Sequence, residues 1–266
     1  MTLSPAVMGI VNVTPDSFFP GGRSESTAEA SALGVAHFAA GADIVDVGGE
    51  STRPGAEPVS LDDELNRVLP VVRFLSAHGP VSIDTYKPEV ARAAVAAGAT
   101  VINDISGELA EVAGELSVGY IGMHRQGDSR TMQDNPHYGD VVAEVSARLQ
   151  SIATRARRSG VDRLWLDPGI GFGKTAEHNL ELLAHLDHIR SICEEFGAGL
   201  LIGTSRKRFL GTLGPREIPV EERLEGSIAT EAWSLMMGAD MIRVHDVAPA
   251  VQLRELLTMA YEEVAS

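Results

Sequence analysis

Asp84, Asn103, Asp167 and Arg243 each follow or interrupt a short aliphatic run (PVSID, TVIND, RLWLD and MIRVH) with no turn residue before them. Polar groups placed in this way are expected to be buried, and buried polar groups need partners, of which a ligand is one. Two carboxylates and an amide offer acceptors and donors to a flat heterocycle carrying amidine-like N–H groups. Beside them, Arg53, Lys207, Arg243 and His245 could receive an anionic leaving group. A polar ring-binding floor next to a cationic rim suggests group transfer on a phosphorylated substrate. No nucleophile–base pair stands out. Ser205 lies outside any GxSxG elbow, and Cys193, beside Ile192 in a helical stretch, reads as a packed thiol.

Such residues act together only if distant segments converge at one place. The chain alternates strand-like and helix-like patterns throughout. Strand-length apolar runs span Ala6 to Asn12, Asp43 to Gly48, Pro80 to Asp84, Thr100 to Asp104, Val118 to His124, Arg163 to Asp167, Gly199 to Ser205 and Met241 to His245. Between them lie helical patterns: one capped by Thr27 and ending near Gly41, one over Leu61 to Ala77, and one over Val141 to Arg157. In the last, Val141, Val145, Leu149, Ile152 and Ala156 share a face. About eight β/α units close a parallel (β/α)8 TIM barrel, and its reactive groups stand at the C-terminal ends of the strands. There the sequence offers Asn12, the turn Gly49-Glu50-Ser51-Thr52-Arg53, Asp84, Asn103 with Asp104, His124, Asp167, Ser205 with Arg206 and Lys207, and Arg243 with His245. Strand ends run into loops and loops are polar, so part of this polarity carries no functional meaning. A doubly wound open sheet is the alternative, but its GxGxxG fingerprint is missing after Asn12.

Composition narrows the partners. At 266 residues the chain fits one domain, residues 1–266, because a single barrel commonly fills about 250. With 22 Lys and Arg against 37 Asp and Glu, the net charge of −15 disfavours nucleic acid and anionic membranes. The acid is expected on the outer helices, as in Asp62-Asp63-Glu64, Glu194-Glu195, Glu221-Glu222 and Glu262-Glu263, leaving the barrel mouth cationic. A single cysteine and no signal-like or membrane-length apolar run point to the cytoplasm. GIGFGKT, Gly169 to Thr175, has three residues between its outer glycines where a phosphate loop has four. His185 and His188 lack any HExxH context and read as a solvated helical face, and His37, His78 and His137 as ordinary surface or packing residues.

The strand-end segments resemble bacterial dihydropteroate synthases, members of the pterin-binding enzyme family. MGIVNVTPDSF (Met8 to Phe18), GGESTRPGA (Gly48 to Ala56), SIDTYKPEVA (Ser82 to Ala91), INDISG (Ile102 to Gly107), DPGIGFGKTAEHNLELL (Asp167 to Leu183), GTSRKRFLG (Gly203 to Gly211) and RVHDV (Arg243 to Val247) appear in family order. The resemblance implies a folate-pathway transferase joining 6-hydroxymethyl-7,8-dihydropterin diphosphate to p-aminobenzoate with release of pyrophosphate. By resemblance, Asp84, Asn103, Asp167 and Lys207 hold the pterin, with the glycine loop beside Asp167. Asn12, Thr52, Arg243 and His245 take the diphosphate, and Asn12 also ligates magnesium. Phe18, Ser51, Thr52, Arg53, Pro54 and Ser205 belong to the p-aminobenzoate site, which two mobile loops complete. Asp16 closes over the pterin and, with Lys207, Arg243 and His245, forms the catalytic set. The resemblance also implies a homodimer and sulfonamide sensitivity.

Two segments depart from the family pattern. Phe19 and Pro20 stand where SDGG usually follows TPDSF, making that loop more apolar and, through Pro20, stiffer, which bears on loop closure and on sulfonamide binding. Arg125, in MHRQGDS, replaces a methionine that would offer a soft apolar wall, although its charged head could reach solvent over a buried stem. Two other functions compete: a non-catalytic pterin-binding paralogue, and a methyltransferase acting on methyltetrahydrofolate with a corrinoid partner. TPDSF, ESTRP and SRKRF speak against the methyltransferase. Retention of Asn12, Asp16, Thr52, Lys207, Arg243 and His245 speaks against a binding-only role.

Overall fold

In the computed structural model, eight parallel strands pair in chain order and the last closes on the first. The structure describes residues 5–13, 23–51, 57–127 and 130–265. The strands are β1 (Ala6–Asn12), β2 (Ile44–Gly48), β3 (Val81–Asp84), β4 (Val101–Asp104), β5 (Gly119–Met123), β6 (Leu164–Asp167), β7 (Gly199–Ile202) and β8 (Met241–Val244). Between and after them run α1 (Arg23–Ala39), α2 (Leu61–Leu75), α3 (Pro88–Ala96), α4 (Ala110–Glu115), α5 (Val141–Arg158), α6 (Ala176–Ala184), α7 (Leu186–Glu195), α8 (Leu224–Met236) and α9 (Val247–Ala265). Closure excludes the open doubly wound sheet.

Side chains alternate along each strand, so a barrel strand has one set of residues inside and the other against the helices. Val7, Val45, Val81, Ile102, Leu200 and Ile242 pack outward into the main core with the helices. Met8, Ile44, Val101, Ile121, Leu201 and Met241 form a separate apolar cluster, packed with Ala6 and Trp165, inside the barrel towards the N-terminal ends of the strands. Helix α5 shows how the outer layer is specified. Val141, Val145, Leu149, Ile152 and Ala156 are all buried on the face that their spacing requires. Asp140 caps the helix by accepting from the Ala143 N–H at 2.9 Å. Each buried Leu or Ile of this kind is worth roughly 1.5–3 kcal/mol.

Three expectations need correction. Thr27 does not cap α1 but lies within it: the helix begins at Arg23, so the capping types Ser24, Ser26 and Thr27 are all helical. Strand β7 ends at Ile202 and not at Ser205: its pairing with β8 stops at Ile202 and Ile242, and beyond it the Thr204 and Ser205 hydroxyls accept from the Thr230 hydroxyl and the His245 backbone N–H. Glu64 does not lie on the solvent face of α2 but is buried, its carboxylate taken by Lys87 and by the Thr85 hydroxyl.

Five of the histidines and the cysteine are surface or packing residues, although His185 sits in the turn between α6 and α7 and not on one helical face with His188. His185, His188, His78 and His137 are exposed, and His37 is packed with its Nε2 3.0 Å from the Ile10 carbonyl. Cys193 is fully buried in α7, and burial pushes its thiol up to about 12, which leaves it inert. Among the described residues no helix is long and apolar enough to cross a membrane.

Candidate active site

The polar floor is built by advancing two residues along the strands that carry the apolar cluster. Asp46 follows Ile44, Asn103 follows Val101, Asp167 follows Trp165 and Arg243 follows Met241, so all four keep the inward direction. Register brings Asp84 beside Asn103 and beside Gly48. The side chains then meet across the barrel. Arg243 donates from Nε to Asp46 Oδ2 at 2.7 Å and from Nη2 to Asp84 Oδ2 at 2.8 Å. Asn103 Nδ2 donates to the same Asp46 oxygen at 2.9 Å. Asp46 was not among the residues singled out from sequence. Its signal was a charge in the middle of the apolar run DIVDVG, two positions from an inward aliphatic.

Asn12 ends β1 and is half-buried. Its Oδ1 and Asp84 Oδ2 each lie 3.7 Å from where a Cβ on Gly48 would sit, so the glycine leaves room between β1 and β3. On the other side, Ser205 Oγ accepts from the His245 backbone N–H at 3.1 Å and lies 3.2 Å from His245 Nδ1. Neighbouring Arg206 does not face the floor. Its guanidinium pairs with Asp246 at 2.8 and 2.7 Å. Asp104, beside Asn103 in sequence, serves its own loop by accepting from the Glu108 and Leu109 N–H groups, each at 2.7 Å, and from the Tyr120 hydroxyl.

The glycine loop forms the remaining wall. Gly169, Gly171 and Gly173 all have positive φ, and a Cβ at Gly169 would collide with the His124 carbonyl oxygen. Asp167 Oδ1 accepts from the Gly169 N–H at 2.7 Å. Lys207 reaches the same loop, donating to the Ile170 carbonyl with its Nζ 4.6 Å from the Phe172 ring centroid. Lys174, which a phosphate loop would aim at a nucleotide, is instead buried among His124 Nδ1 and the Gly169 and Phe172 carbonyls at 2.9, 2.9 and 3.1 Å. Its ammonium thus ties the glycine loop to itself and to the end of β5. Arg125, two residues after Met123 of β5, is half-buried.

Burial sets the charges. It pushes Asp84 up to about 7, against the pull of Arg243 and with help from Asp46. Asp167 is likewise raised by burial, opposed by Lys207 and the Gly169 N–H. Burial lowers Lys207 to about 8, with Asp167 resisting. His124, desolvated and facing Lys174, falls to about 3 and stays neutral. Asp46 Oδ1 and Asp84 Oδ1 are buried and accept no hydrogen bond. Such a site presents unsatisfied acceptors to a ligand that brings N–H donors.

A second cluster braces the start of the loop that follows β2. Lys87 bridges Glu50 and Glu64, and the Tyr86 hydroxyl donates to Glu50 at 2.9 Å. Ser51, half-buried, comes next in the chain. Asp16, Phe18, Thr52, Arg53 and Pro54, like the Phe19-Pro20 departure, lie outside the described residues. Of the expected site residues, the structure therefore gathers Asn12, Asp84, Asn103, Asp167, Ser205, Lys207, Arg243 and His245 at the C-terminal ends of the strands.

Comparison with known proteins identifies the family to which this barrel is similar. The family described as pterin binding enzymes matches residues 8–245. The dihydropteroate synthase of Escherichia coli K12 is 45% identical over 257 residues, covering 93% of this chain and 89% of its own. A Xanthomonas albilineans dihydropteroate synthase solved with 4-aminobenzoic acid superposes with a TM-score of 0.88 at 45% identity, covering 97% of this chain and 93% of that one. The same organism's enzyme in complex with 7,8-dihydropteroate gives 0.84 at 42% identity, covering 98% and 95%. With a barrel matched nearly end to end and identity of this order, the chain belongs to the pterin-binding enzymes and, among them, to the dihydropteroate synthases.

Proposed function

We propose that this protein joins 6-hydroxymethyl-7,8-dihydropterin diphosphate to p-aminobenzoate, forming 7,8-dihydropteroate and pyrophosphate. The observation that carries the reading is the juxtaposition of a buried acceptor floor, Asp84, Asn103 and Asp167, with Arg243 and Lys207 in the mouth of one barrel. The floor suits a pterin edge rich in N–H donors. Asp84 and Asp167 accept from the ring, Asn103 offers its amide oxygen, and Lys207 lies against the glycine loop.

The bond to the leaving diphosphate breaks first. Arg243 and His245 neutralise charge growing on the pyrophosphate, which is electrostatic stabilisation of the transition state, and the Thr52 hydroxyl donates a hydrogen bond to it. The electron-rich dihydropterin spreads the positive charge left on its methylene carbon. Asp16, closing over the ring, adds a carboxylate to that cation and excludes water. A weakly basic arylamine attacks as the neutral species, so no strong base is needed, in keeping with a site that shows no His–Asp catalytic pair among the described residues. Phe18, Ser51, Arg53, Pro54 and Ser205 form the p-aminobenzoate side.

Magnesium suits this donor set. Among the described residues no group of three His, Cys, Asp or Glu could cage a metal, and Asn12 presents one hard oxygen beside Asp84. Magnesium commonly rests on one or two protein oxygens together with substrate phosphates. When bound, it would neutralise diphosphate charge. A second copy of the chain is the proposed partner: Trp233 and Met236 on α8 and Leu256 and Met259 on α9 are exposed. Leu253 and Leu257 are partly buried against the core, so of the leucines on the last helix Leu256 faces outward. Residence in the cytoplasm is proposed, supported by the single cysteine left as a free thiol, which fits a reducing compartment.

The test is direct. Purified protein, magnesium, dihydropterin diphosphate and p-aminobenzoate should yield dihydropteroate and pyrophosphate in equal amounts. Tight pterin binding without product would instead identify a binding-only paralogue.

A further inference from the structure

We propose that Asp46 is a positioning residue for this reaction, its Oδ2 fixing the Asn103 amide and the Arg243 guanidinium in one register. The inference rests on the reaction proposed above and adds to it a residue that acts through Asn103 and Arg243. Asp46 lies in the middle of β2 with no exposed surface, and its Oδ2 accepts from Asn103 Nδ2 at 2.9 Å and Arg243 Nε at 2.7 Å. Those donors come from β4 and β8, so one carboxylate spans the barrel.

Each contact constrains how its partner can meet a ligand. An amide has a donor end and an acceptor end. With Nδ2 held by Asp46, Asn103 offers Oδ1 to the pocket, which is the end that a ring N–H requires. The flipped amide would set donor against donor. For Arg243, Nε on Asp46 and Nη2 on Asp84 hold one edge of the guanidinium, leaving Nη1 for the diphosphate. When an anion draws Nη2 from Asp84, Nε remains on Asp46, and the group pivots without leaving.

Asp104 shows what a purely structural carboxylate looks like in the same barrel. It is equally buried, yet it accepts from Ser106, Glu108 and Leu109 backbone N–H groups and from Tyr120, all local to its own strand and loop or the next strand. Asp46 makes neither kind of contact. Its two partners are both residues assigned to substrate. Positioning partners of this sort commonly change affinity or activity by 10- to 100-fold when removed, as seen around metal sites.

The experiment compares wild type with Asp46→Ala and Asp46→Asn, measuring kcat, KM for each substrate and thermal midpoint. Asp46→Ala should raise KM for the pterin diphosphate about tenfold and lower kcat by at least as much, with KM for p-aminobenzoate within about twofold. Asp46→Asn keeps an oxygen for Asn103 but loses the charge opposite Arg243, so it should restore the pterin KM to within about threefold while kcat stays low. If Asp46→Ala does not fold, the split shown by Asp46→Asn decides. Active wild type with both KM values and kcat unchanged in the variants, or lowered activity from loss of folded protein alone, overturns the assignment of Asp46. Wild type that makes no dihydropteroate overturns the reaction itself, a result visible before any variant is compared.

Discussion

The inside of the barrel has two layers made at alternate positions of the same strands, and they work by opposite means. Towards the N-terminal ends, Met8, Ile44, Val101, Ile121, Leu201 and Met241 fill the interior with hydrocarbon. One inward step further, Asp46, Asn103, Asp167 and Arg243 fill it with charge and amide. Hydrophobic packing is non-directional, so loss of one member costs volume and leaves the others satisfied. The polar layer is directional and paired, so loss of one member strands its neighbours. The lower layer holds the strands in register; the upper layer depends on that register and gives it chemical use.

The largest departure from this contrast should come from Arg243→Met. Removing it leaves Asp46 and Asp84 buried without their cation, costing about 3–5 kcal/mol of stability. The same change should lower kcat/KM by about 10³-fold, since the group is also proposed to face the pyrophosphate. Urea unfolding alongside steady-state kinetics would read both effects; lost activity with full stability would mean that the upper layer does not depend on pairing. Leu201→Ala in the lower layer should cost about 2–5 kcal/mol but leave turnover per folded molecule within about twofold. An equal collapse of turnover would show the layers to be one unit.

A gentler probe is pH. Substrate binding needs Asp84 ionised and Lys207 charged, so kcat/KM should rise as pH passes about 7 and fall beyond about 8. Stability runs the other way on the acid limb. Asp84 is raised above its ordinary value, so its contribution is present at low pH and is lost as pH rises through about 7. A flat activity profile across this interval would remove both groups from the substrate-binding role. The smallest effect belongs to Arg125→Met. Half-buried in the segment that abuts the glycine loop, Arg125 should change pterin affinity by no more than about twofold, or roughly 0.5 kcal/mol, in an equilibrium titration. A larger effect would place it in the pocket wall.

The eight strands are legible because each is a short apolar run that leads into polar residues, and β1 has the bounds of its run, Ala6–Asn12. Closure could be read from the number of β/α units. At the start of α1 residue type misleads, because Ser24, Ser26 and Thr27 are all capping types and yet all three lie inside the helix. Asp84, Asn103, Asp167 and Arg243 announced themselves by interrupting aliphatic runs. Asp46 did so too, but it stands in mid-strand and its partners come from β4 and β8, which only the register discloses. The Lys174 bracket was hidden for a similar reason: its sequence context suggests phosphate, whereas the fold turns its ammonium inward. Residue type gave the candidates, and long-range pairing decided which of them share a site.

The bond between Arg243 and Asp46 joins residues 197 positions apart, while Asn103 and Asp46 are separated by only 57. On a chain emerging from the ribosome, Asp46 and Asn103 are therefore available to each other long before the arginine exists. Arg243 arrives on the strand that closes against β1, so the buried acids gain their counter-ion in the same event that joins the two ends of the sheet. Chains halted before β8 carry uncompensated carboxylates and an incomplete floor. A pterin added during refolding is for that reason a reporter of ring closure, captured only by molecules in which the last strand has met the first.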